Sequence, residues 1–193
     1  MLVDKTVTQL LDAFASPAPT PGGGSASALA GAMAASLLEM VAAMPKTARG
    51  TPEDRAALDA VHPKLKALRE ELTRLVDRDS AAYDEVVAAY RLPKATDEEK
   101  AARKQAVTEA MKLATQVPLE TARAAAAVVA YSRIVAEHGN PNAKSDAGVA
   151  ASLAGSAFSG ARMNVETNLD GLGDPEFVAR VRTAIETLAN AIQ

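Results

Sequence analysis

The sequence predicts an all-α protein, a bundle of about six to seven helices. Apolar residues recur with helical spacing along most of the 193 residues, and no segment alternates polar and apolar residues with period two. Hydrophobic residues make up 48% of the chain but aromatic residues only 3%, because alanine, the strongest helix former, supplies much of the apolar content. We therefore expect closely packed helices in one domain that spans residues 1–193.

Composition excludes several classes of function. The net charge of -3, without a stripe of lysine and arginine interleaved with aromatic residues, argues against a nucleic-acid partner. The absence of cysteine removes disulfides, thiolate nucleophiles and cysteine zinc sites. The N-terminus lacks the basic stretch and apolar core of a secretory signal, and residues 26–38 are too short and too polar for a membrane span. These features predict a cytoplasmic protein.

The first two helices are separated by a break rich in proline and glycine. A short first helix is predicted from one apolar face, formed by Val3, Val7, Leu10, Leu11 and Phe14. Proline fixes φ and glycine frees it, so residues 19–24 are predicted as an extended turn. A second helix follows over about residues 25–44, with Ser25 beside its N-cap. Its many small residues allow another backbone to approach closely.

A third helix is predicted over about residues 52–91, with leucine and valine at alternating spacings of three and four. Pro63 lies inside it and is expected to end a short lead-in helix or to kink the long one. Continuing the spacing past Leu75 places Asp79 where the pattern calls for leucine. A carboxylate on a buried face is costly unless it is paired, hydrogen-bonded or catalytic, and the pattern alone leaves these alternatives open.

The second half of the chain carries clear helix boundaries. Thr96 and Glu99 form a capping box for a fourth helix ending near Val117, and Pro118 is expected to open a fifth that ends at His138. His138 fits a cation at the dipole of a helix end better than a catalytic group. A sixth helix, again rich in small residues, starts at residues 145–146 and is expected to pack on the second helix or across a subunit interface. Residues 174–175 start a last helix.

Two helix starts have both a structural and a functional interpretation. The glycines at 22–24 form a sharp turn, or their exposed N–H groups and the positive end of the second helix form a cradle for an oxygen ligand. Ser145 and Asp146 are by default a helix cap. Neither feature is specific when taken alone.

Six stretches, in this order, resemble the cyclodeaminase family, which comprises the C-terminal domain of formiminotransferase-cyclodeaminase and stand-alone relatives that include methenyltetrahydrofolate cyclohydrolases. They cover most of the chain: PTPGGGSASALAGAMAAS (19–36), VDRDSAAYDEV (76–86), RLPKATDEEKAAR (91–103), VPLETA (117–122), GNPNAKSDAGVAA (139–151) and GARMNVETNL (160–169).

The resemblance implies an all-helical, dimeric enzyme of folate one-carbon metabolism. Its first implication is a formiminotetrahydrofolate cyclodeaminase, which forms 5,10-methenyltetrahydrofolate and releases ammonia. The alternative is a cyclohydrolase that interconverts the 5,10-methenyl and 10-formyl compounds, which the absence of a transferase domain from these residues keeps open. A second alternative is a folate-binding or structural helical dimer without catalysis. A homodimer with the site at or near its interface is expected, with no metal and no cofactor beyond the tetrahydrofolate substrate.

The resemblance also assigns roles to particular residues. Asp79 and Asp146 are the candidates for base and acid, and Lys94 for a proton donor or an anchor of an anionic part of folate. The remaining candidates bind substrate: Pro21, Gly22, Gly23, Gly24, Ser25, Ser145 and Asn164. Residues 44–55 depart from the family pattern because they lack an aromatic residue, so Lys46 and Arg49 are expected to replace it only in part.

Overall fold

The protein forms six helices, described in a computed structural model that covers residues 1–45 and 50–192. Over these residues there is no strand, which confirms the all-α prediction. The helices are α1 (Val7–Ala15), α2 (Gly23–Ala43), α3 (Pro52–Tyr90), α4 (Asp97–His138), α5 (Lys144–Leu169) and α6 (Pro175–Ala191), with short 3-10 turns at Leu2–Asp4 and Pro141–Ala143.

The small-sided helices α2 and α5 pack on each other in an antiparallel pair, and α2 also runs antiparallel to α3. A Cβ atom placed on Gly31 of α2 would lie 3.0 Å from a methyl carbon of Leu72 on α3 and 3.5 Å from Cβ of Ala157 on α5. The absence of a side chain at Gly31 lets the three helices approach closely at this crossing. The two small-residue helices α2 and α5 therefore pack on each other within the chain, which was one of the two predicted arrangements.

Helix α4 is continuous through Pro118, so the prediction of two separate helices with a boundary at residues 117–118 is wrong. Pro118 has no N–H and leaves the carbonyl oxygen of Ala114 without its usual partner in the helix. The side chain of Asn168 on α5 donates to that oxygen at 2.7 Å. Buried Pro118 is tolerated because a neighbouring helix supplies the missing donor. Pro63 likewise lies inside the single helix α3.

The N-terminal boundaries also differ from the prediction. Val3 belongs to a 3-10 turn, and α1 begins only at Val7, after a capping box formed by Thr6 and Gln9. The backbone N–H of Leu2 donates to Oδ1 of Asp77 on α3, which holds the 3-10 turn against the bundle. None of the residues of α1 is buried, and Val7 and Leu11 on its apolar face are more than 60% exposed.

Helix α2 is longer than the apolar segment considered as a membrane span. Its 21 residues are long and apolar enough to cross a membrane, so the prediction that the segment is too short is wrong. The same test is passed by the core helices of soluble proteins, and half of its most apolar window is buried within the bundle. Leu38, Val41 and Ala42 of this helix belong to the main hydrophobic core.

Candidate functional site

The glycine-rich turn leads directly into α2. The helix begins at Gly23, two residues before the predicted start, with Gly22 as an extended N-cap that makes no side-chain capping bond. The first N–H groups of a helix have no partner inside the helix, and a glycine cap offers them none. The turn before it contains a cis peptide bond between Thr20 and Pro21.

Asp79 of α3 lies against the bare backbone of Gly24. A Cβ atom at residue 24 would overlap the Asp79 carboxylate, so only glycine allows this contact. The position of Asp79 on the inward face of α3 follows from the spacing that the sequence showed, since Leu72 and Leu75 on that face are fully buried. The glycine turn and this aspartate, far apart in sequence, therefore meet at one end of the bundle.

Hydrogen bonds from Ser25 and partial burial act on Asp79 in opposite directions. Ser25 Oγ donates to Oδ2 of Asp79 at 3.0 Å and lies 3.1 Å from the Ser80 hydroxyl. Burial raises the pKa of Asp79, and the hydroxyl and backbone N–H of Ser25 lower it less than burial raises it. No cation among the described residues contributes to this pKa. The side chain of Ser25 thus bonds Asp79 and does not cap α2.

Asn164 of α5 completes this end of the bundle. Its side-chain nitrogen donates to the carbonyl oxygen of Gly160 at 2.8 Å and lies 3.3 Å from where a Cβ atom of Gly23 would be. Ser27 Oγ donates to the carbonyl oxygen of Gly23 at 2.7 Å, and Gly160 leaves space for that hydroxyl. Ser27 and Gly160 were not among the predicted site residues, although both belong to the small-residue pattern of their helices.

Ser145 and Asp146 lie at the opposite end of the same helix pair. Eighteen residues separate Asp146 from Asn164 on α5, which corresponds to about 27 Å along a helix. The N-cap of α5 is Ala143, without a side-chain capping bond, so the interpretation of Ser145 and Asp146 as a helix cap is wrong. The structure of one chain does not bring these two residues to Asp79.

Lys94 also lies away from Asp79. It is exposed in the turn between α3 and α4, and the helix continues for eleven residues from Asp79 to Tyr90, about 16 Å, before that turn begins. There it lines a surface depression with Lys100, Arg103 and Lys104. Lys46 and Arg49, which were expected to replace the family's basic-aromatic stretch only in part, lie outside the described residues.

His138 has a specific partner at the far end of α4. Its Nδ1 lies 2.9 Å from Oδ1 of Asp54, near the start of α3. The hydrogen bond with His138, followed by those from the backbone N–H and hydroxyl of Thr51, lowers the pKa of Asp54 to about 2. The position of His138 at a helix end predicted a structural role, but its partner Asp54 was not predicted.

The chain is similar to several enzymes of known name. A methenyltetrahydrofolate cyclohydrolase of Methylorubrum extorquens is 44% identical over 188 residues, which cover 97% of this chain and 90% of that protein. Formimidoyltransferase-cyclodeaminases of Gallus gallus and Sus scrofa are each 34% identical, over 91% and 97% of this chain. The chain spans only 32% and 35% of those two longer proteins.

The structural comparison agrees with the sequence comparisons. The crystal structure of a formiminotetrahydrofolate cyclodeaminase from Thermotoga maritima superimposes with a TM-score of 0.87 at 27% identity, covering 100% of this chain and 92% of that one. The model of the formiminotransferase-cyclodeaminase family matches residues 6–187. The chain belongs to the formiminotransferase-cyclodeaminase family.

Proposed function

We propose that this protein is a methenyltetrahydrofolate cyclohydrolase, which hydrolyses 5,10-methenyltetrahydrofolate to 10-formyltetrahydrofolate. The observation that carries this proposal is the 44% identity to a cyclohydrolase whose length this chain covers almost completely. The cyclodeaminase activity, which the sequence alone put first, becomes the second candidate, favoured by the close structural match to the Thermotoga maritima enzyme. We also propose a cytoplasmic location and no cofactor besides the folate.

The proposed reaction needs a base close to the bridging carbon between N5 and N10. The oxygen of a water molecule bonds to that carbon while one of its protons moves to the base. The bond from carbon to N5 then breaks, N5 takes the proton held by the base, and the second water proton is released as the formyl C=O forms. A carboxylate also stabilises the cationic substrate by its charge. Asp79 is our candidate for this base, because burial raises its pKa toward the operating range.

The neighbours of Asp79 have the properties of a binding site for a pterin ring. The N–H group of Ser25 in the first turn of α2 donates to Asp79, and the N–H groups of Gly23 and Gly24, which have no N-cap side chain as a partner, are donors for a carbonyl oxygen or a carboxylate. Asn164 both donates and accepts, which suits the mixed edge of a pterin. Its contact with Gly23 keeps the amide beside the helix N-terminus. In this proposal Pro21 shapes the turn, and Ser25 orients the Asp79 carboxylate.

We further propose a homodimer in which the second copy supplies Ser145 and Asp146. Helices α2 and α5 both present uncharged residues to solvent over most of their length. On α2 the exposed residues after the first are Ala26, Met33, Ser36, Met40 and Ala43, and on α5 from residue 145 to 159 they are Ser145, Gly148, Val149, Ser152, Ser156 and Ser159. Met33 and Val149, which are 46% and 53% exposed, add apolar area to this uncharged face.

The antiparallel direction of α2 and α5 determines what such a dimer brings together. If two copies of this face pack with their helices reversed, the N-terminus of α5 in the partner subunit lies beside the N-terminus of α2. Ser145 and Asp146 of the second copy then stand near Asp79 and Asn164 of the first. This arrangement accounts for the distance of about 27 Å that separates the candidate residues within one chain.

An optical assay tests the enzymatic proposal. The 5,10-methenyl compound absorbs in the near ultraviolet, so its decay above the spontaneous rate reports hydrolysis, and its appearance from 5-formiminotetrahydrofolate reports cyclodeamination. We expect the decay to be the faster enzymatic reaction. Turnover of the formimino compound alone would contradict the cyclohydrolase proposal and support cyclodeaminase activity. Tight folate binding with neither reaction would support a protein without catalysis.

Subunit complementation tests the composite site. Asp79→Asn and Asp146→Asn are each expected to be inactive, and a mixture of the two refolded together is expected to regain activity, since one of the two composite sites in a mixed dimer would contain both wild-type aspartates. Light scattering of the wild-type protein checks the dimer directly. A monomer in solution, or mixtures that stay as inactive as both parents, would contradict the shared site.

A further inference from the structure

Ser80 follows Asp79 on α3, and the proposed chemistry gives its hydroxyl no role. Its Oγ lies 3.1 Å from Oγ of Ser25, which in turn lies 3.0 Å from Oδ2 of Asp79. The three side chains therefore form one hydrogen-bonded chain with Ser25 in the middle. Ser25 is 0% exposed, so its hydroxyl bonds to these two side chains in an environment closed to solvent.

This contact differs from the hydrogen bonds of the other hydroxyls on the helices. A serine or threonine inside a helix commonly donates to the carbonyl oxygen four residues earlier. Many side chains of this protein do so: Ser27, Ser36, Thr73, Thr108, Thr115, Thr121, Ser152 and Thr187. The Ser80 hydroxyl makes no such bond within residues 1–45 and 50–192, where its partner is Ser25 on α2.

The number of protons determines the direction of the chain. An ionised carboxylate can only accept hydrogen bonds, and a hydroxyl has a single proton to donate. Ser25 donates its proton to Asp79, so the proton in the contact between the two hydroxyls must come from Ser80. While Asp79 is ionised, both hydroxyls therefore donate toward its charge.

Among the described residues, no charged side chain competes with the two hydroxyls for control of Asp79. The charged residues nearest to it along α3, and nearest to Asn164 along α5, have partners of their own: Asp77 accepts from the N–H of Leu2, Arg78 pairs with Glu120 of α4, and Arg162 pairs with Glu166. The first turn of α2 contains no acidic residue. None of these groups contributes to the pKa of Asp79.

From these observations we propose that Ser80 is a positioning residue that keeps the Ser25 hydroxyl directed at Asp79. This inference rests on the proposed function, because it assumes that Asp79 is the base. A hydroxyl that itself accepts a hydrogen bond is polarised and becomes a stronger donor, and the gain is larger when its acceptor is charged. Without Ser80, the buried Ser25 oxygen loses its donor, and the ionised form of the base loses part of its stabilisation.

A carboxyl titration tests the chain without requiring turnover. The protein is labelled with ¹³C at the aspartate carboxyls, the Asp79 signal is identified by its loss in Asp79→Asn, and its pKa is measured by NMR. We expect the pKa of Asp79 to rise in Ser80→Ala by about 10–30% of its rise in Ser25→Ala, which is the share of a hydrogen bond attributed to cooperativity. The control is Thr73→Val, which removes a hydroxyl bonded within α3 and is expected to leave this pKa unchanged.

A double-mutant cycle separates a positioning role from a general disturbance of the helix contact. Because Ser80 acts through Ser25, Ser25→Ala/Ser80→Ala is expected to have the same pKa of Asp79 as Ser25→Ala alone. Ser80→Thr retains the hydroxyl and is expected to keep the wild-type value. Additive shifts in the double variant, no shift in Ser80→Ala, or equal shifts in Ser80→Thr and Ser80→Ala would each overturn the proposal.

Kinetics then connect Ser80 to the reaction. The acid limb of the pH profile of kcat/KM for 5,10-methenyltetrahydrofolate is expected to move to higher pH in Ser80→Ala, by less than in Ser25→Ala. A limb that stays in place although the pKa of Asp79 has moved would refute Asp79 as the base. Failure of the wild type to hydrolyse the compound would refute the proposed function, while the titration would still decide whether Ser80 acts through Ser25.

Discussion

Asp54 lies near the start of α3 and Asp79 farther along the same helix, and the two have similar hydrogen-bond donors but opposite pKa shifts. Each accepts from a hydroxyl and from a backbone N–H, supplied by Thr51 for Asp54 and by Ser25 for Asp79. Asp54 also has His138 as a partner, and its pKa is lowered to about 2. Asp79 has no such partner, and burial raises its pKa.

Hydrogen bonds from a hydroxyl and a backbone N–H therefore do not by themselves distinguish a structural aspartate from a candidate base. The two aspartates differ in the free-energy cost of ionising the carboxyl group in its surroundings. At Asp54 the charge is favoured in every respect except a small effect of burial, so this carboxylate is suited to hold the start of α3 against the end of α4. At Asp79 burial makes the charged form more costly, which is typical of groups that exchange protons during a reaction.

The largest expected effect is the loss of enzymatic rate in Asp79→Asn, compared with Asp54→Asn as a control. Asp79→Asn removes the proposed base and is expected to lower kcat/KM by about 10²- to 10⁴-fold. The matched variant Asp54→Asn changes the same group on the same helix and is expected to keep the wild-type rate in the optical assay. Comparable rates for the two variants would contradict the functional distinction between Asp54 and Asp79.

The next effect concerns the glycine on which the Asp79 contact depends. Gly24→Ala places a methyl group where the Asp79 carboxylate lies, so the carboxylate or the two helices must shift, and we expect a loss of about 1–3 kcal/mol in the free energy of unfolding. Gly155→Ala is the control, because nothing lies within 4 Å of its added Cβ atom, and it is expected to stabilise the helix by about 0.5–1 kcal/mol. Chemical denaturation measures both values, and equal effects would mean that the contact at Gly24 is loose.

A smaller effect is expected on the pH dependence of the rate. Ser25→Ala removes a hydroxyl that donates to Asp79 and lowers its pKa, so the pKa of Asp79 rises further in the variant. A base works when it is ionised, and the acid limb of the pH profile of kcat/KM therefore moves to higher pH. Ser36→Ala, which removes a hydroxyl bonded within α2, is the control and is expected to leave the profile in place. A shift to lower pH in Ser25→Ala would contradict the role of Asp79 as base.

The elements that depend on local pattern were predictable, and those that depend on partners distant in sequence were not. The spacing of leucines in α3 was sufficient to single out Asp79, and the Thr96 capping box gave the start of α4 within one residue. Pro118 was misplaced because the donor that lets a proline remain inside a helix is Asn168, about fifty residues further along the chain. No local pattern contains that information.

The candidate site shows the same division. The glycines, Ser25, Asp79 and Asn164 come together because antiparallel packing of α2 with α3 and α5 places them at one end. Ser145 and Asp146 belong to the same family resemblance but lie at the other end of α5, because a match of sequence motifs carries no information about how far apart the fold places them. Lys94 was assigned by the motif alone, and the long projection of α3 and α4 beyond Asp79 explains why it lies elsewhere.

The smallest expected effect is the contribution of Asp54 to stability at low pH. Its folded pKa of about 2 lies below the ordinary value of 3.8 for aspartate, so the stabilisation is complete above the unfolded pKa and is lost as pH falls through the folded one. We therefore expect the urea midpoint of the wild type to fall between about pH 4 and pH 2, and to fall less over this window in Asp54→Asn. Asp79 has the opposite shift, so Asp79→Asn is expected to remove a destabilising charge at neutral pH. A steeper acid dependence in Asp54→Asn than in the wild type would contradict the contrast between Asp54 and Asp79.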